Sequence, residues 1–443
     1  MSSYTSPIQK MAQKFAYADI ATQAANLQNE QAELDAESNG LDSLSTALTD
    51  FQTAIDALNS DTDGPLTFSA TSNNESNTVS ANSQAQAGTY SFYVSALAQA
   101  QQTTYSITDG LYDATGTFEL TMGDSTMDID LSAADKNGDD DGFIDASELV
   151  DAINDSDDNP GVTAALVKTG DTTTIMLTSE TTGEQSQFSV SVEGNTELSD
   201  AMTASKQEIT TAQDAEIHLG NQTGPVITSS SNTFDDVIPG VTMTFSEVSD
   251  PDDPTDLTTF TVAEDSGGSQ EKVQTFVDAY NTLIDTIDSL TSYGDDDTAA
   301  GVFAGDAGMQ SLANQMDDIA HASYGGVSIV DYGITLDSDG HLQIDSTQFT
   351  EEMEENPDGL TSIFVGDDSM VAQMDDLMDS YLDSSNGIIT MRQQNITDQQ
   401  DKISDEGNQL TETYNTNYDR YVEEYTNTLI EVYTMKVSMA AFM

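Results

Sequence analysis

The chain has 443 residues with 79 acidic against 10 basic, a formal charge of −69; such a field repels duplex DNA, RNA and anionic lipid and excludes them as partners. Cysteine is absent, which rules out a disulfide framework, a thiolate zinc site and a thiol nucleophile. Hydrophobic residues still make up 37% and recur in ordered periods, so roughly two to four folded domains are expected rather than disorder. Surface repulsion is least costly where salt shortens its reach, to about 3 Å at ~1 M. The composition therefore points to a marine or halophilic source, and added salt is expected to raise the melting temperature; a fall would contradict this. No stretch approaches the roughly 20 apolar residues of a membrane span, so membrane insertion is not expected. Residues 1–20 lack the unbroken apolar core of a Sec-type signal peptide, and a chain that leaves the cell would use another route.

From Ile20 an apolar residue stands at every seventh position: Ile20, Leu27, Leu34, Leu41, Leu48 and Ile55. This is a heptad repeat. Its companion positions are polar or small at first (Gln23, Ala24, Glu30, Gln31) and fill in later with Leu44, Phe51 and Leu58, so the seam is weak and then strong. Residues 66–105 and 206–265 change texture to Thr/Ser/Val/Tyr alternation broken by Gly, Asn and Pro, as in Gly88–Val94 and Val241–Phe245. Short antiparallel strands follow from that pattern. Residues 106–204 read as a second strand-rich unit with one short helix, Ala146 to Asn154. The helical period returns at Glu271, where Val273, Phe276, Val277, Tyr280, Leu283, Ile284, Ile287 and Leu290 make one apolar face. Shorter helices are expected at about 306–323 and 368–383, separated by a hairpin over Gly333–Ile344 in which Asp339-Gly340 suits a two-residue type I′ turn. The chain closes on Ile389, Ile396, Ile403 and Leu410 at sevens, then Tyr414, Tyr418, Tyr421, Tyr425, Leu429, Val432 and Lys436 at fours and threes.

The expected fold is α+β and multidomain: N- and C-terminal helices form a coiled-coil stalk, with two mostly antiparallel β domains inserted. Its parts are an N-terminal leg and stalk (1–65), an inner β-rich domain (66–105 with 205–269) and an outer inserted β-rich domain (106–204). A helical domain whose hairpin packs on the N-terminal helix (270–385) and a C-terminal leg (386–443) complete it.

One segment carries chemistry of its own. Calcium takes oxygens from positions 1, 3, 5, 7, 9 and 12 of a loop with glycine at 6. Setting Gly142 at the sixth place supplies Asn137, Asp139, Asp141, the Phe143 carbonyl, Asp145 and Glu148, with Asn in place of the usual first Asp. A two-residue insertion would instead put Asp135 first. The preceding segment reads as strand (Phe118–Met122, Met127–Leu131), so the motif is half an EF-hand, and a solvated acidic turn is the competing reading. Asp337–Gly340 reads as a hairpin turn and Asp250–Pro254 as a rigid loop. The three imidazoles, His218, His321 and His341, sit in no elbow or triad context, and no phosphate-binding glycine loop occurs. No catalytic site is expected, and no cofactor beyond calcium.

Several ordered blocks resemble one family. Leu41–Leu58 leading to Gly88–Val94 and Leu97–Gln101, Asp145–Asn154 with Gly161–Ala164, Ser229–Thr244, Phe276–Asn281, Tyr332–Asp337 and Asn386–Ile389 together make the chain similar to the flagellar filament cap family, also called flagellar hook-associated protein 2. It departs at the extreme N-terminus, where many members carry a Gly-Ser-Gly-Leu-Asp-like stretch. The resemblance implies a non-enzymatic homo-oligomeric ring of about five or six copies at the filament tip. Its partners would be flagellin, hook-filament junction proteins and a flagellar export chaperone, after secretion by type III export. Contacts with other subunits or flagellin are expected at Ile20, Leu27, Leu34, Ile396, Ile403, Leu410, Tyr414, Tyr418, Tyr421 and Tyr425. The weak outer seams, 1–35 and 405–443, are expected to order only against neighbours. A role in adhesion is a further expectation, and a calcium-dependent secreted adhesin or surface-binding module is the alternative reading.

Overall fold

A computed structural model describes residues 7–60, 62–107, 112–135, 142–169, 172–294 and 298–441. The chain forms two units: Met1–Leu66 with Ser266–Met443, and Thr67–Asp265.

The first unit is helical. Its N-terminal helix, Pro7–Leu58, has 52 residues and is about 78 Å long at 1.5 Å per residue. The heptad residues Leu27, Leu34, Leu41, Leu48 and Ile55 are buried along one stripe, and Leu44, Phe51 and Leu58 widen it in the second half. There the helix meets Ser266–Thr291, whose buried face is Val273, Phe276, Val277, Tyr280, Leu283, Ile284 and Ile287. Phe51 packs 5.8 Å from Phe276 and 6.1 Å from Tyr280 between ring centroids, the separation at which tilted aromatic pairs are favourable. Gly40 explains itself by proximity, since a Cβ there would stand 2.6 Å from Val302 Cγ2 and 3.0 Å from Phe303. The 54-residue C-terminal helix, Ile388–Ala441, runs antiparallel to the N-terminal one: Gln393 donates to Asp42 at 3.0 Å and Gln400 to Asp35 at 3.2 Å.

Around this frame lie Ala307–His321 and Met370–Leu382, where the periodicity places them, and two helices it does not reveal, Ser346–Glu355 and Pro357–Phe364. The first of these buries only Phe349 and Met353, too few apolar residues to show a period; its start is marked instead by Asp345, whose side chain accepts from the Thr347 and Gln348 amides. The hairpin pairs Ile334–Leu336 with Leu342–Ile344, but its turn differs from the expected two-residue one. Asp337 N–H donates to the His341 carbonyl and Gly340 N–H to the Asp337 carbonyl, leaving the three-residue loop Ser338–Gly340 closed by Gly340 at φ +83°. A left-handed glycine after a first turn is the standard closure for that loop length.

The second unit holds two hydrophobic cores. The inner one lies between a five-stranded antiparallel sheet, ordered Phe68–Ser72, Thr258–Glu264, Gly88–Ala96, Ala215–Leu219, Val226–Ser229, and a three-stranded one of Thr233–Ile238, Val241–Thr244 and Thr78–Ala81. Phe92, Phe234, Phe245 and Phe260 fill it, with centroids 5.5–6.2 Å apart. The outer core is closed by Lys206–Thr210, Gln102–Ile107, Thr172–Ser179 and Val162–Thr169 in one sheet and Phe188–Glu193, Thr117–Met122 and Ser125–Asp130 in another. The sheet thus takes 102–105 and 206–210 from the inner domain to which their texture assigns them, because Tyr105 pairs with Ile175 and with Lys206. Ala146–Asn154 is helical as expected. Two further helical segments join it: Thr196–Ser205, capped by Asn195, and the single turn Leu131–Ala134, capped by Asp130.

Candidate assembly interface

The helical pair is stitched differently along its length. Near the body, Arg392 on the C-terminal helix makes a two-pronged bond to Asp306, Nη1 to Oδ2 at 2.7 Å and Nη2 to Oδ1 at 3.0 Å. Asp306 is itself the N-cap of Ala307–His321. The Arg392 hydrogen bonds hold its carboxyl below the usual carboxylate range despite partial burial. In mid-seam, Leu27, Leu34, Ile396 and Leu410 are buried and Ile20 and Ile403 half-buried. The residues expected to meet other subunits here lie in the seam of one chain.

The outer end departs from expectation more sharply. Both helices are continuous from Pro7 and to Ala441, with Ala12 and Ala16 fully buried. Phe15 sits between Tyr421 and Tyr425 at 5.8 and 5.9 Å. Tyr421 donates to Asp19 at 3.0 Å, and Arg420 reaches the same carboxylate at 3.7 Å and lies over the Tyr421 ring. Tyr414 stacks on Tyr418 at 6.3 Å, both half-buried. Alanine and tyrosine thus do at this end what leucine does nearer the body, letting the helices approach and filling the gap with rings. A heptad search for large aliphatic residues misses such a seam.

Beyond Tyr425 every described residue of the C-terminal helix whose burial is given is exposed. Leu429, Ile430, Val432, Tyr433, Met435, Val437 and Met439 are 54–70% exposed. At about 100° per residue they spread over more than half the helix circumference, interrupted by Thr428 and Lys436 and facing a polar strip of Asn427, Glu431, Thr434 and Ser438. Ile430, Met435 and Met439 with Glu431, Thr434 and Ser438 border a shallow groove of about 530 Å³. The charge changes here too. Residues 7–29 and 414–441 carry Asp19, Asp419, Glu423, Glu424 and Glu431 against Lys10, Lys14, Arg420 and Lys436, close to neutrality in a chain of charge −69. Rich in exposed apolar side chains and nearly balanced in charge, this end is the part of the molecule that other proteins approach at the least electrostatic cost.

The acidic loop has part of its geometry on view; Asn137, Asp139 and Asp141 lie outside the described residues. Asp145 caps Ala146–Asn154, accepting from the Ser147 and Glu148 amides, and Glu148 returns a bond to the Asp145 amide. Phe143–Ile144 pairs with Tyr112–Asp113, and the Phe143 side chain is largely exposed. Glu148 is only 5% exposed. Gly142, at φ +83°, donates its N–H to Asp135 Oδ2 at 3.0 Å, while Asp135 Oδ1 is buried with no hydrogen-bond partner among the described residues. Among the described residues no group of three or more His, Cys, Asp or Glu is arranged to hold a metal ion. The histidines stand apart, His218 by Glu216, His321 by Asp317 and His341 by Asp285.

Long paired termini bracketing a β insertion, with an apolar helical end left bare, define a structural protein built for assembly. Family models agree: "flagellar hook-associated protein 2 N-terminus" matches residues 6–101 and "flagellar hook-associated protein 2 C-terminus" matches 212–434. The chain belongs to the flagellar hook-associated protein 2 family. It is 34% identical to the lateral flagellar hook-associated protein 2 of Vibrio parahaemolyticus over 82% of each chain. It is 28% identical to the B-type protein of Pseudomonas aeruginosa over 76% of this chain and 73% of that one. The crystal structure of the D1-D2-D3 domains of the flagellar cap protein FliD from Escherichia coli matches with a TM-score of 0.67 at 26% identity, covering 81% of this chain and 99% of that one. The stretch between the two family models, 102–211, is the outer β body.

Proposed function

We propose that this chain caps the flagellar filament: copies assemble into a plate at the tip, hold back exported flagellin and let it polymerise beneath. The end Leu429–Met439 carries the reading, because seven large apolar side chains more than half exposed on one stretch of helix are a surface meant to be covered. Flagellin and neighbouring copies are the partners that fit, and hook-filament junction proteins and an export chaperone complete the set the family implies. Passage through the type III channel suits a chain in which no disulfide can form. A strain lacking the gene is expected to shed flagellin monomer into the medium and lose its filaments, with both restored by the gene in trans. Normal filaments in the deletion strain would overturn the proposal. The comparisons lead to capping proteins and lend no support to adhesion or to the adhesin reading.

The acidic loop supports a second, independent proposal, calcium binding by the outer body. Asp135 is favoured as first ligand: it already receives the Gly142 N–H and keeps one buried oxygen unpartnered among the described residues, a state that costs free energy unless something completes it. Titration calorimetry with calcium chloride is expected to show one site, weakened at least about tenfold by Glu148→Gln. Glutamine preserves the helix cap, so the melting temperature in calcium-free buffer stays put. No calcium heat in the wild type would end this proposal.

A further inference from the structure

Two chain segments, Leu97–Gln101 and Thr210–Asp214, connect the inner and outer β bodies, and they pair with each other through Gln99 and Gln213. That link is one isolated bridge, and two paired strands alone are only marginally stable in water. A third attachment is present. The loop after the outer strand Thr172–Ser179 leaves the outer body and lands on the inner one, where Thr182 Oγ1 donates to the Ser230 carbonyl at 2.7 Å. The Glu184 amide donates to Asp214 Oδ1 at 2.7 Å, and the Gly183 amide to the Gln99 carbonyl at 3.2 Å. Gly183 holds the spot at φ +103°, buried so closely against Ser230 that a Cβ would stand 2.7 Å from that residue's own Cβ.

Both landing points are themselves anchored. Asn232, two residues beyond Ser230, brackets Ala98, accepting from its N–H at 2.7 Å and donating to its carbonyl at 3.3 Å. On the other side Gln101 is buried in the outer body, accepting from the Phe188 amide at 2.8 Å and donating to the Phe188 carbonyl at 3.1 Å. The loop therefore ties the connecting segments at Gln99 and Asp214 to the inner body at Ser230, an attachment that the two segments alone do not supply.

We infer that the loop Thr181–Ser186 is a strut that locks the outer β body onto the inner one, with Gly183 and Thr182 as its positioning residues, so that Thr67–Asp265 moves as a single rigid piece. The inference does not depend on capping, because it concerns the free chain. With no native cysteine, spin labels at Val226→Cys on the inner body and Val167→Cys on the outer report one distance; these side chains are 54% and 39% exposed. Pulsed electron resonance on the full chain is expected to give a single narrow distribution. Gly183→Val, which forces the loop off Ser230, is expected to broaden it at least twofold while the aromatic circular dichroism of both cores persists. The gentler Thr182→Ala, Asp214→Ala pair, which removes two bonds and adds no bulk, is expected to broaden it as well. A broad distribution in the wild-type background, or an unchanged one in the Thr182→Ala, Asp214→Ala pair, overturns the inference.

Discussion

Exchanging Leu429, Val432 and Met435 for serine is expected to leave the chain folded and secreted yet abolish capping, with flagellin shed into the medium as in a gene deletion. The three side chains are more than half exposed, so the fold loses little beyond a few tenths of a kcal/mol each in helix propensity. The assembled state loses far more. Fully covering such an apolar side chain stabilises a contact by about 1.5–3 kcal/mol; with little more than half of each still to cover, losing three weakens the contact by about 3–5 kcal/mol, roughly a hundred- to a few thousandfold in affinity. A triple variant that supports filaments of normal length would show that this end is not where partners bind.

Arg392→Ala is expected to produce the largest loss of stability from a single charged side chain, about 2–3 kcal/mol in urea denaturation followed by the helix signal of the first unit. The substitution strands Asp306, which is about a quarter exposed, and loosens the start of both Ala307–His321 and the C-terminal helix. The pH dependence has a definite sign. Asp306 has a folded pKa lowered from 3.8, chiefly by the Arg392 side-chain hydrogen bonds. Its contribution is therefore complete above that unfolded value and disappears as pH falls through the lower folded one. Wild type and Arg392→Ala should differ most above about pH 4 and converge in stronger acid. Parallel curves down to the acid limit would mean that the pair does not supply the difference.

The parts of the fold visible in the sequence were those with a long apolar period. Leu41 to Leu58 and Val273 to Ile287 announce two helices and the faces they bury, because each turn contributes a large side chain to one stripe. Ser346–Glu355 and Thr196–Ser205 stay hidden, since their helices are specified by the caps Asp345 and Asn195 more than by what they bury. The division of the β unit is equally hard to read: Thr103 and Thr104 look like Thr258 and Thr259, and only strand pairing assigns them to different bodies. At the interface the period through Leu429 and Val432 marks the helix, but neither its exposure there nor the seam that precedes it shows in the sequence. Ala12 and Ala16 carry no large-residue signal, and the ring of Phe15 between two tyrosines exists only once the helices are antiparallel. The same holds for Gly183, whose importance lies in a neighbour 47 residues away, Ser230.

A cap held at the filament tip by its exposed helical end can be seen by electron microscopy of filaments carrying a gold-labelled antibody against the outer β body. Label is expected at the distal ends of filaments and nowhere along the shaft, and cells in which Leu429, Val432 and Met435 are serine are expected to carry no filaments to label. Label along the shaft or on the cell surface would contradict it.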